Sequence, residues 1–313
     1  MIMFCAVTLV AALVVPADVA PKVKAEIARV RDAAAKTVPS DQRGGLDARL
    51  KRAEDAIAAG RVYLALLELQ PAWEMEFGFA FAGASGIKTN DEFLRKWKEI
   101  GPPSLPSEPA NPARPLIAEA FADSSQARGP ALYRASLPYS EDAGLSAGLY
   151  YLGESQAGAK FAAWVRALGW ESSGRRPPMR SIEPQLTAFE RDVVQKYERA
   201  EAAQRPTYIG VNVALKLARE LNTHGRYSAA LLEYLRARTR FTAPVAEPPK
   251  DAAAVKARIA AAQQELRDGD HTVALVFLEL AAASAENQDP TVSRSATAIL
   301  DDVIPAYLAV VKR

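Results

Sequence analysis

The chain has 313 residues, of which 39 are Lys or Arg and 37 are Asp or Glu, so its formal net charge is only +2. With 49% hydrophobic and 24% charged residues, the composition is that of a globular protein with a sizeable core and not of a disordered chain. The balanced charge argues against a nucleic-acid-binding protein, which normally has a basic excess or a basic stripe.

The N-terminal segment is predicted to be a secretory signal peptide. Residues 4–15 are almost all apolar, and a run of this length is too short to span a bilayer but suits the hydrophobic region of a leader. Small residues before Ala17 provide a cleavage point, with Ala20 as a second option. We therefore predict a signal peptide over residues 1–20 and an exported, periplasmic or secreted protein with no integral membrane span after leader removal. Because no Lys or Arg precedes the run, an uncleaved anchor or a buried helix is the alternative.

The only cysteine, Cys5, lies inside this leader. The mature chain would then contain no disulfide, no thiolate metal site and no cysteine nucleophile. The short apolar leader and the 62 alanines together favour a bacterial cell-envelope protein.

Apolar residues recur at helical spacing through most of the chain, whereas no segment shows the alternation that is typical of a strand. Since alanine is the best helix former, the sequence predicts an all-α fold. In chain order, the predicted helices cover residues 22–36, 46–59, 63–81, 91–100, 116–127, 145–168, 185–204, 208–223, 227–240, 251–267, 272–286 and 290–312.

A proline-rich segment interrupts this pattern between residues 101 and 115, where six of fifteen residues are proline. Such a segment cannot be a helix or a central strand, so it is predicted to be a linker or a surface loop. We accordingly predict N-terminal helical hairpins over residues 21–100, this loop over 101–115, and a helical repeat region over 116–313.

Three segments, 50–72, 215–237 and 259–281, align with one another without gaps on a glycine. A glycine that ends one helix just before the next begins produces a short turn, which forces two helices into an antiparallel hairpin. Since one hairpin cannot bury its apolar faces alone, hairpins are expected to stack on their neighbours. The residues that define the repeat are Ala53, Gly60 and Ala65 in the first copy, Ala218, Gly225 and Ala230 in the second, and Ala262, Gly269 and Ala274 in the third.

These segments resemble the tetratricopeptide repeat, most clearly at Gly225-Arg226-Tyr227 and the Ala230-Leu231 pair that follows. The resemblance implies a stacked array of antiparallel hairpins with a groove lined by the first helix of each unit, which binds an extended peptide or protein partner. Spacing of three to four residues places polar side chains on that face. The candidate partner-binding residues are Asn212, Leu215, Arg219, Asn222, Lys256, Gln263 and Arg267.

Catalytic motifs are scarce. The sequence around Ser155, GESQA, is similar to the nucleophile elbow of α/β-hydrolases, but that elbow needs a preceding strand in a parallel sheet, which the pattern does not predict. The Glu154-Ser155 pair also resembles that of lytic transglycosylases. His224 and His271 each flank a repeat turn, where histidine is favoured because it can cap a helix end. The spacing of the two histidines matches no metal-binding motif. We predict no catalytic residues, no metal and no cofactor.

The sequence therefore predicts an exported, non-catalytic scaffold or adaptor that binds protein partners in the bacterial cell envelope. One alternative is an envelope hydrolase that uses Ser155 or Glu154. A second alternative is a small-ligand-binding helical protein with an aromatic pocket. The residues expected to line that pocket are Trp73, Phe77, Tyr150, Tyr151 and Trp164.

Overall fold

The computed structural model describes residues 18–107, 111–139, 144–171, 174–249 and 251–312. Within these ranges the chain forms helices joined by turns and loops and contains no strand, which confirms the all-α prediction. The helices are α1 (Val19–Thr37), α2 (Ser40–Ala58), α3 (Val62–Ala84), α4 (Asn90–Ile100), α5 (Leu116–Ser136), α6 (Leu145–Arg166), α7 (Glu183–Arg199), α8 (Arg205–Thr223), α9 (Tyr227–Thr242), α10 (Ala252–Glu265), α11 (Thr272–Ala285), α12 (Pro290–Ala298) and α13 (Ile304–Val311). A π-helical turn, Ile299–Val303, joins α12 to α13.

The three aligned segments are helical hairpins, formed by α2–α3, α8–α9 and α10–α11. Their turns contain Gly60, Gly225 and Gly269, whose φ angles are +72°, +73° and +131°. A side chain would be strained at these angles, so each turn requires glycine. The aligned alanines are fully buried, except for Ala262, which is half-buried.

Helix α5 lies at the centre of the molecule. It packs against α3, α6, α8, α9 and α11, and most of its residues are buried. The second helices of all three hairpins, α3, α9 and α11, contact α5, and α11 also contacts α3 and α9. The hairpins therefore gather around one helix that belongs to none of them.

The turn of the third hairpin caps the start of α5. The Leu116 N–H donates to Oδ2 of Asp270 at 2.7 Å, and the Ile117 N–H donates to Oγ1 of Thr272 at 3.0 Å. The first N–H groups of a helix have no partner within the helix, so these side chains supply one from elsewhere in the chain. The cap ties the position of α5 to that of the third hairpin.

Helices α5 and α6 cross at close range because glycines lie at the contact. A Cβ atom on Gly158 would lie 2.1 Å from the Ser125 carbonyl oxygen, and one on Gly129 would lie 2.7 Å from the Ser155 carbonyl oxygen. No side chain fits at these distances. The two backbones can therefore approach only with glycine at both positions.

Two helices extend beyond their predicted bounds by six residues or more. Helix α2 begins at Ser40 and includes Gly44 and Gly45, and α5 continues through Pro130 to Ser136. Glycine and proline both disfavour a helix when it stands alone. In α5 the residues around Pro130 are buried against neighbouring helices, and this packing outweighs the local preference.

The proline-rich segment is hydrogen-bonded to two arginines that lie in other loops and turns of the chain. The guanidinium groups of Arg226 and Arg176 donate to the carbonyl oxygens of Pro106 and Arg114, respectively. The main hydrophobic core includes residues from both sides of the segment, such as Leu66 in α3 and Phe121 in α5. The described parts of the segment, residues 101–107 and 111–115, thus lie beside one continuous core.

The apolar run at residues 4–15 and the cleavage point at Ala17 lie outside the described residues. Ala20, the second cleavage point, lies in the first turns of α1, next to the fully buried Val19. In the described part of the chain, no helix has the combined length and apolar character needed to cross a membrane.

Candidate ligand-binding cavity

A cavity of about 620 Å³ opens between the three hairpins and α5. Its wall includes residues of α2 and α3, of α8 and α9, of α11, and of α5. The volume lies within the range of small-molecule sites in proteins, roughly 300–1,000 Å³.

Equivalent positions of the three repeat copies line this cavity. The residue eight positions after the turn glycine is Glu68, Glu233 or Phe277, and the residue eleven positions after it is Pro71, Arg236 or Leu280. Positions three apart share one face of a helix, so α3, α9 and α11 present the same face to the cavity. The internal repeat thus positions the site as well as the fold.

Carboxylate Glu74 forms the first half of a buried polar network beside the cavity. Its side chain accepts hydrogen bonds from Nη1 of Arg128 at 2.6 Å, from Nε2 of Gln70 at 3.2 Å and from the Ser125 hydroxyl. Glu74 is only 2% exposed, so these donors are what allows it to remain inside the protein.

Arg236 forms the other half of the network. Its guanidinium donates to Oε1 of Gln70 at 3.0 Å and to Glu233, which also accepts from the Ser124 hydroxyl. The network therefore runs without interruption from α9 to α3, with α5 between them. It fixes the two lining residues Glu233 and Arg236 in defined orientations.

The cavity lining carries more cations than carboxylates. Burial would raise the pKa of Glu233, but Arg236, the Ser124 hydroxyl, Arg128 and Arg240 together hold it below its ordinary value. Glu233 is thus ionised at neutral pH and contributes to the charge count. The six cations are Arg49, Arg128, Arg134, Lys216, Arg236 and Arg240, and the three carboxylates are Glu68, Glu220 and Glu233.

The candidate partner-binding residues of α8 contact other parts of the chain. Arg219 forms ion pairs with Glu190 at 3.0 Å and Glu183 at 3.1 Å, both on α7. The side chain of Asn222 accepts from the Ile182 N–H at 2.9 Å and donates to the Ser181 hydroxyl at 3.0 Å. Leu215 is buried and Asn212 is half-buried. Helix α7 therefore covers much of the face of α8 that was predicted to line a groove.

The candidate residues of the third hairpin, which lie on α10 and just after it, are nearer the surface. Lys256 and Arg267 are exposed, and Gln263 is half-buried. Arg267 has a weak ion pair with its neighbour Asp268 at 3.5 Å. None of the seven predicted partner-binding residues lines the cavity, and their role in binding a partner stays a prediction.

Ser155 lies in the middle of α6, and its hydroxyl donates to the Leu152 carbonyl oxygen at 2.7 Å. It is 1% exposed, so it has neither the strand-to-helix turn nor the accessibility of a nucleophile elbow. Burial raises the pKa of the neighbouring Glu154, with nearby Glu74 adding to the effect and Arg128 opposing it.

The five aromatic residues expected to form a pocket fall into two groups at the contact of α3 with α6. Trp73 packs on Phe77 and on Phe161, with ring centroids 5.8 and 5.7 Å apart, and Trp164 packs on the other side of Phe161 at 5.5 Å. Tyr150 and Tyr151 form the second group, with rings 5.4 Å apart. These rings fill helix contacts, and the cavity is lined by other residues.

The two histidines lie at repeat turns, as their positions in the sequence suggest. Nδ1 of His224 is 2.8 Å from the Glu220 carbonyl oxygen, and Nδ1 of His271 is 2.8 Å from the Tyr307 hydroxyl. Within the described ranges, no group of three or more His, Cys, Asp or Glu side chains is placed to hold a metal ion.

The cavity residues themselves were missed by sequence reasoning. Glu233, Arg236 and Arg240 are spaced by three and four residues on α9, a pattern that is normally a solvated face. The repeat alignment could have identified these charged residues as unusual. Glu233 and Arg236 stand directly before the aligned Tyr234 and Ala237, in a helix whose residues are mostly buried.

Comparison with known proteins gave no match to a protein-family model, to a curated protein or to a solved structure. The fold and the site define a helical repeat-like, all-α protein with a cationic cavity between its hairpins.

Proposed function

We propose that this protein is an exported, non-catalytic binding protein of the bacterial cell envelope, and that the cavity between its three hairpins is the binding site. The observation that carries this proposal is the convergence of equivalent repeat positions on one cavity. The apolar leader in the sequence supports export, and the resemblance of the hairpins to tetratricopeptide repeats supports a binding role.

The lining combines apolar surface with a few polar groups held in fixed positions, which is typical of ligand sites. Leu67, Leu217 and Leu280 supply half-buried apolar surface, and Phe277 supplies a buried ring. The orientation of Arg236 is set by Gln70 and Glu233. A preorganised polar group of this kind gives affinity because less side-chain entropy is lost on binding.

The test is to block the cavity and measure binding of N-phenyl-1-naphthylamine, an uncharged apolar probe, by its fluorescence. Ala131 lies on α5 at the exposed edge of the cavity, whereas Ala135, one turn later, is exposed and does not line it. We expect Ala131→Trp to weaken probe binding by about tenfold or more, which is 1.4 kcal/mol, and Ala135→Trp to leave it unchanged. Equal binding by the two variants, or no binding by the unaltered protein, would overturn the proposal.

A second candidate function is the scaffold or adaptor role with protein partners. It is favoured by exposed apolar residues on α8, where Ile209 is 53% exposed and Val213 is 63% exposed. Crosslinking in the native envelope would test it, with Ile209→Asp compared with Val292→Asp on α12. Loss of a stoichiometric partner only from Ile209→Asp would support this function, and identical recovery from both variants would count against it.

A further inference from the structure

We infer that the cavity binds an anionic amphiphile, meaning a small molecule with a carboxylate or phosphate group on an apolar body. This inference rests on the proposed function, because it names the class of ligand for the same cavity. It is carried by the arrangement of cations and apolar residues in the lining.

Three cations at the exposed edge of the cavity are available to a ligand. Arg134, Lys216 and Arg240 all line the cavity and all are exposed. Across the described part of the chain, none of the three has an ion pair within 4 Å. An anionic group placed between them would therefore gain charge-assisted hydrogen bonds without displacing an internal partner.

The remaining cations already have acidic partners. Arg128 pairs with Glu74 at 2.6 Å, and Arg49 approaches Glu68 at 3.6 Å. Arg236 pairs with Glu233. These internal pairs use both Glu68 and Glu233, which leaves Glu220 as the one lining carboxylate without such a pair in the described ranges, against three unpaired cations.

The cations also repel one another. Arg240 is exposed only in part, so desolvation by the cavity wall lowers its pKa, and the neighbouring Arg236, Arg128 and Arg49 lower it further, although Glu233 opposes them. Burial likewise lowers the pKa of Arg49, with contributions from Arg52, Arg128 and Arg236. An arginine remains protonated despite such shifts, so the cavity lining holds cations close together. A bound anion would relieve that repulsion.

The apolar part of the ligand is expected further inside. Phe277 is 1% exposed and Ala214 is 5% exposed, so these two residues lie at the inner end of the lining. Leu217 and Leu280 are half-buried beside them. An apolar chain that displaces water from this surface would contribute roughly 25 cal/mol for each Å² it buries.

The experiment is calorimetric titration of the full chain with four dodecyl compounds at concentrations below those at which they form micelles. Dodecanoate and dodecyl phosphate carry the two anionic groups, dodecanol is the neutral analogue, and dodecyltrimethylammonium is the cationic analogue. We expect at least one anionic compound to bind about tenfold or more tightly than dodecanol, and the cationic compound to bind weakest. The stronger of the two anionic compounds identifies a carboxylate or a phosphate as the preferred group.

Variants at the exposed edge test the residues directly. Arg240 and Arg199 are exposed arginines in the last turns of α9 and α7, and only Arg240 lines the cavity. We expect Arg240→Gln to weaken binding of the anionic compound by about threefold to tenfold and to leave dodecanol binding unchanged. Arg199→Gln should bind both compounds as the unaltered protein does.

The outcomes separate this inference from the proposed function. Equal affinity for dodecanol and both anionic compounds would overturn the anionic preference while leaving the cavity as a binding site. Equal loss in Arg240→Gln and Arg199→Gln would also overturn it. If the proposed function itself fails, N-phenyl-1-naphthylamine binding will be insensitive to Ala131→Trp, whatever the result with charged compounds.

Discussion

Glu279 shows at the scale of one residue how packing changes the chemistry of a side chain. It lies on α11 and accepts a hydrogen bond from the Leu64 N–H, in the first turn of α3, at 2.7 Å. Burial raises its pKa to about 8, although the backbone N–H groups of Leu64 and Tyr63 and the charge of Arg61 oppose the shift. The carboxyl is thus largely protonated at neutral pH, at a contact that joins the first hairpin to the third.

The contribution of Glu279 to the stability of the protein should therefore fall as the pH rises. Because the pKa of Glu279 is higher in the folded chain than its ordinary value of 4.5, its contribution is fully present below that value and is lost as the pH rises through about 8. We expect Glu279→Gln to match the unaltered protein near pH 4 and to be more stable by ~5 kcal/mol near pH 9, because each unit of the difference in pKa is worth about 1.4 kcal/mol. Urea unfolding at both pH values measures this, with Glu198→Gln on the exposed side of α7 as the control. A pH-independent difference between Glu279→Gln and the unaltered protein would contradict it.

The charged residues of the cavity show the limit of sequence reasoning at this scale. Arg219 and Arg236 both occur at helical spacing next to apolar positions, but the resemblance to a repeat groove favoured Arg219, which lies on the first helix of its hairpin. In the fold, Arg219 pairs with α7 and Arg236 lines the cavity. The different roles of Arg219 and Arg236 follow from the helix that lies opposite each of them. Which helix lies opposite depends on packing between residues far apart in the chain.

At the scale of elements, helices α5 and α6 approach each other closely where Gly129 and Gly158 lie. The sequence predicts both helices but not their separation, because Gly129 lies beyond the predicted end of α5 and Gly158 is only an unfavourable residue within a helix. Their role becomes visible only when the partner backbone lies opposite. The same packing explains why α5 continues through Pro130, which the sequence pattern treats as a stop.

Substitution of Gly158 should therefore be costly although alanine favours helices. A Cβ atom there would collide with the Ser125 carbonyl oxygen, so we expect Gly158→Ala to destabilise the fold by ~3 kcal/mol through overpacking. Gly210 in α8 has open space at its Cβ position, and Gly210→Ala should be neutral or stabilising by ~0.5–1 kcal/mol. Chemical unfolding of both variants measures the difference, and equal stability would show that the crossing is looser than described.

At the scale of the whole molecule, the repeat predicts the three hairpins but not their arrangement. A short glycine turn requires two adjacent antiparallel helices, so Gly60, Gly225 and Gly269 were sufficient to place each hairpin. The assembly of α3, α9 and α11 around α5 depends on contacts between residues far apart in the chain, such as Asp270 with Leu116. Local patterns carry little information about such contacts, and the cavity arises from them.

Because the cavity is formed by all three hairpins, a ligand bound there should stabilise the whole fold. A ligand that binds only the folded state at about one hundred times its Kd adds about 2.7 kcal/mol to the free energy of unfolding. We expect dodecanoate or dodecyl phosphate to raise Tm by ~4 °C, with Ala131→Trp showing no increase. Thermal unfolding followed by circular dichroism measures both, and an equal rise in the blocked variant would place the binding elsewhere.

A crystal structure with ω-bromododecanoate or its phosphate analogue tests the central claim most directly, because the anomalous signal of bromine marks the end of the apolar chain. The account predicts a bromine position beside Phe277 and Leu280, inside the cavity lined by α3, α9 and α11, with the anionic group near Arg240 and Lys216. A bromine position among the rings of Trp73 and Trp164, or on the outer surface, would contradict it.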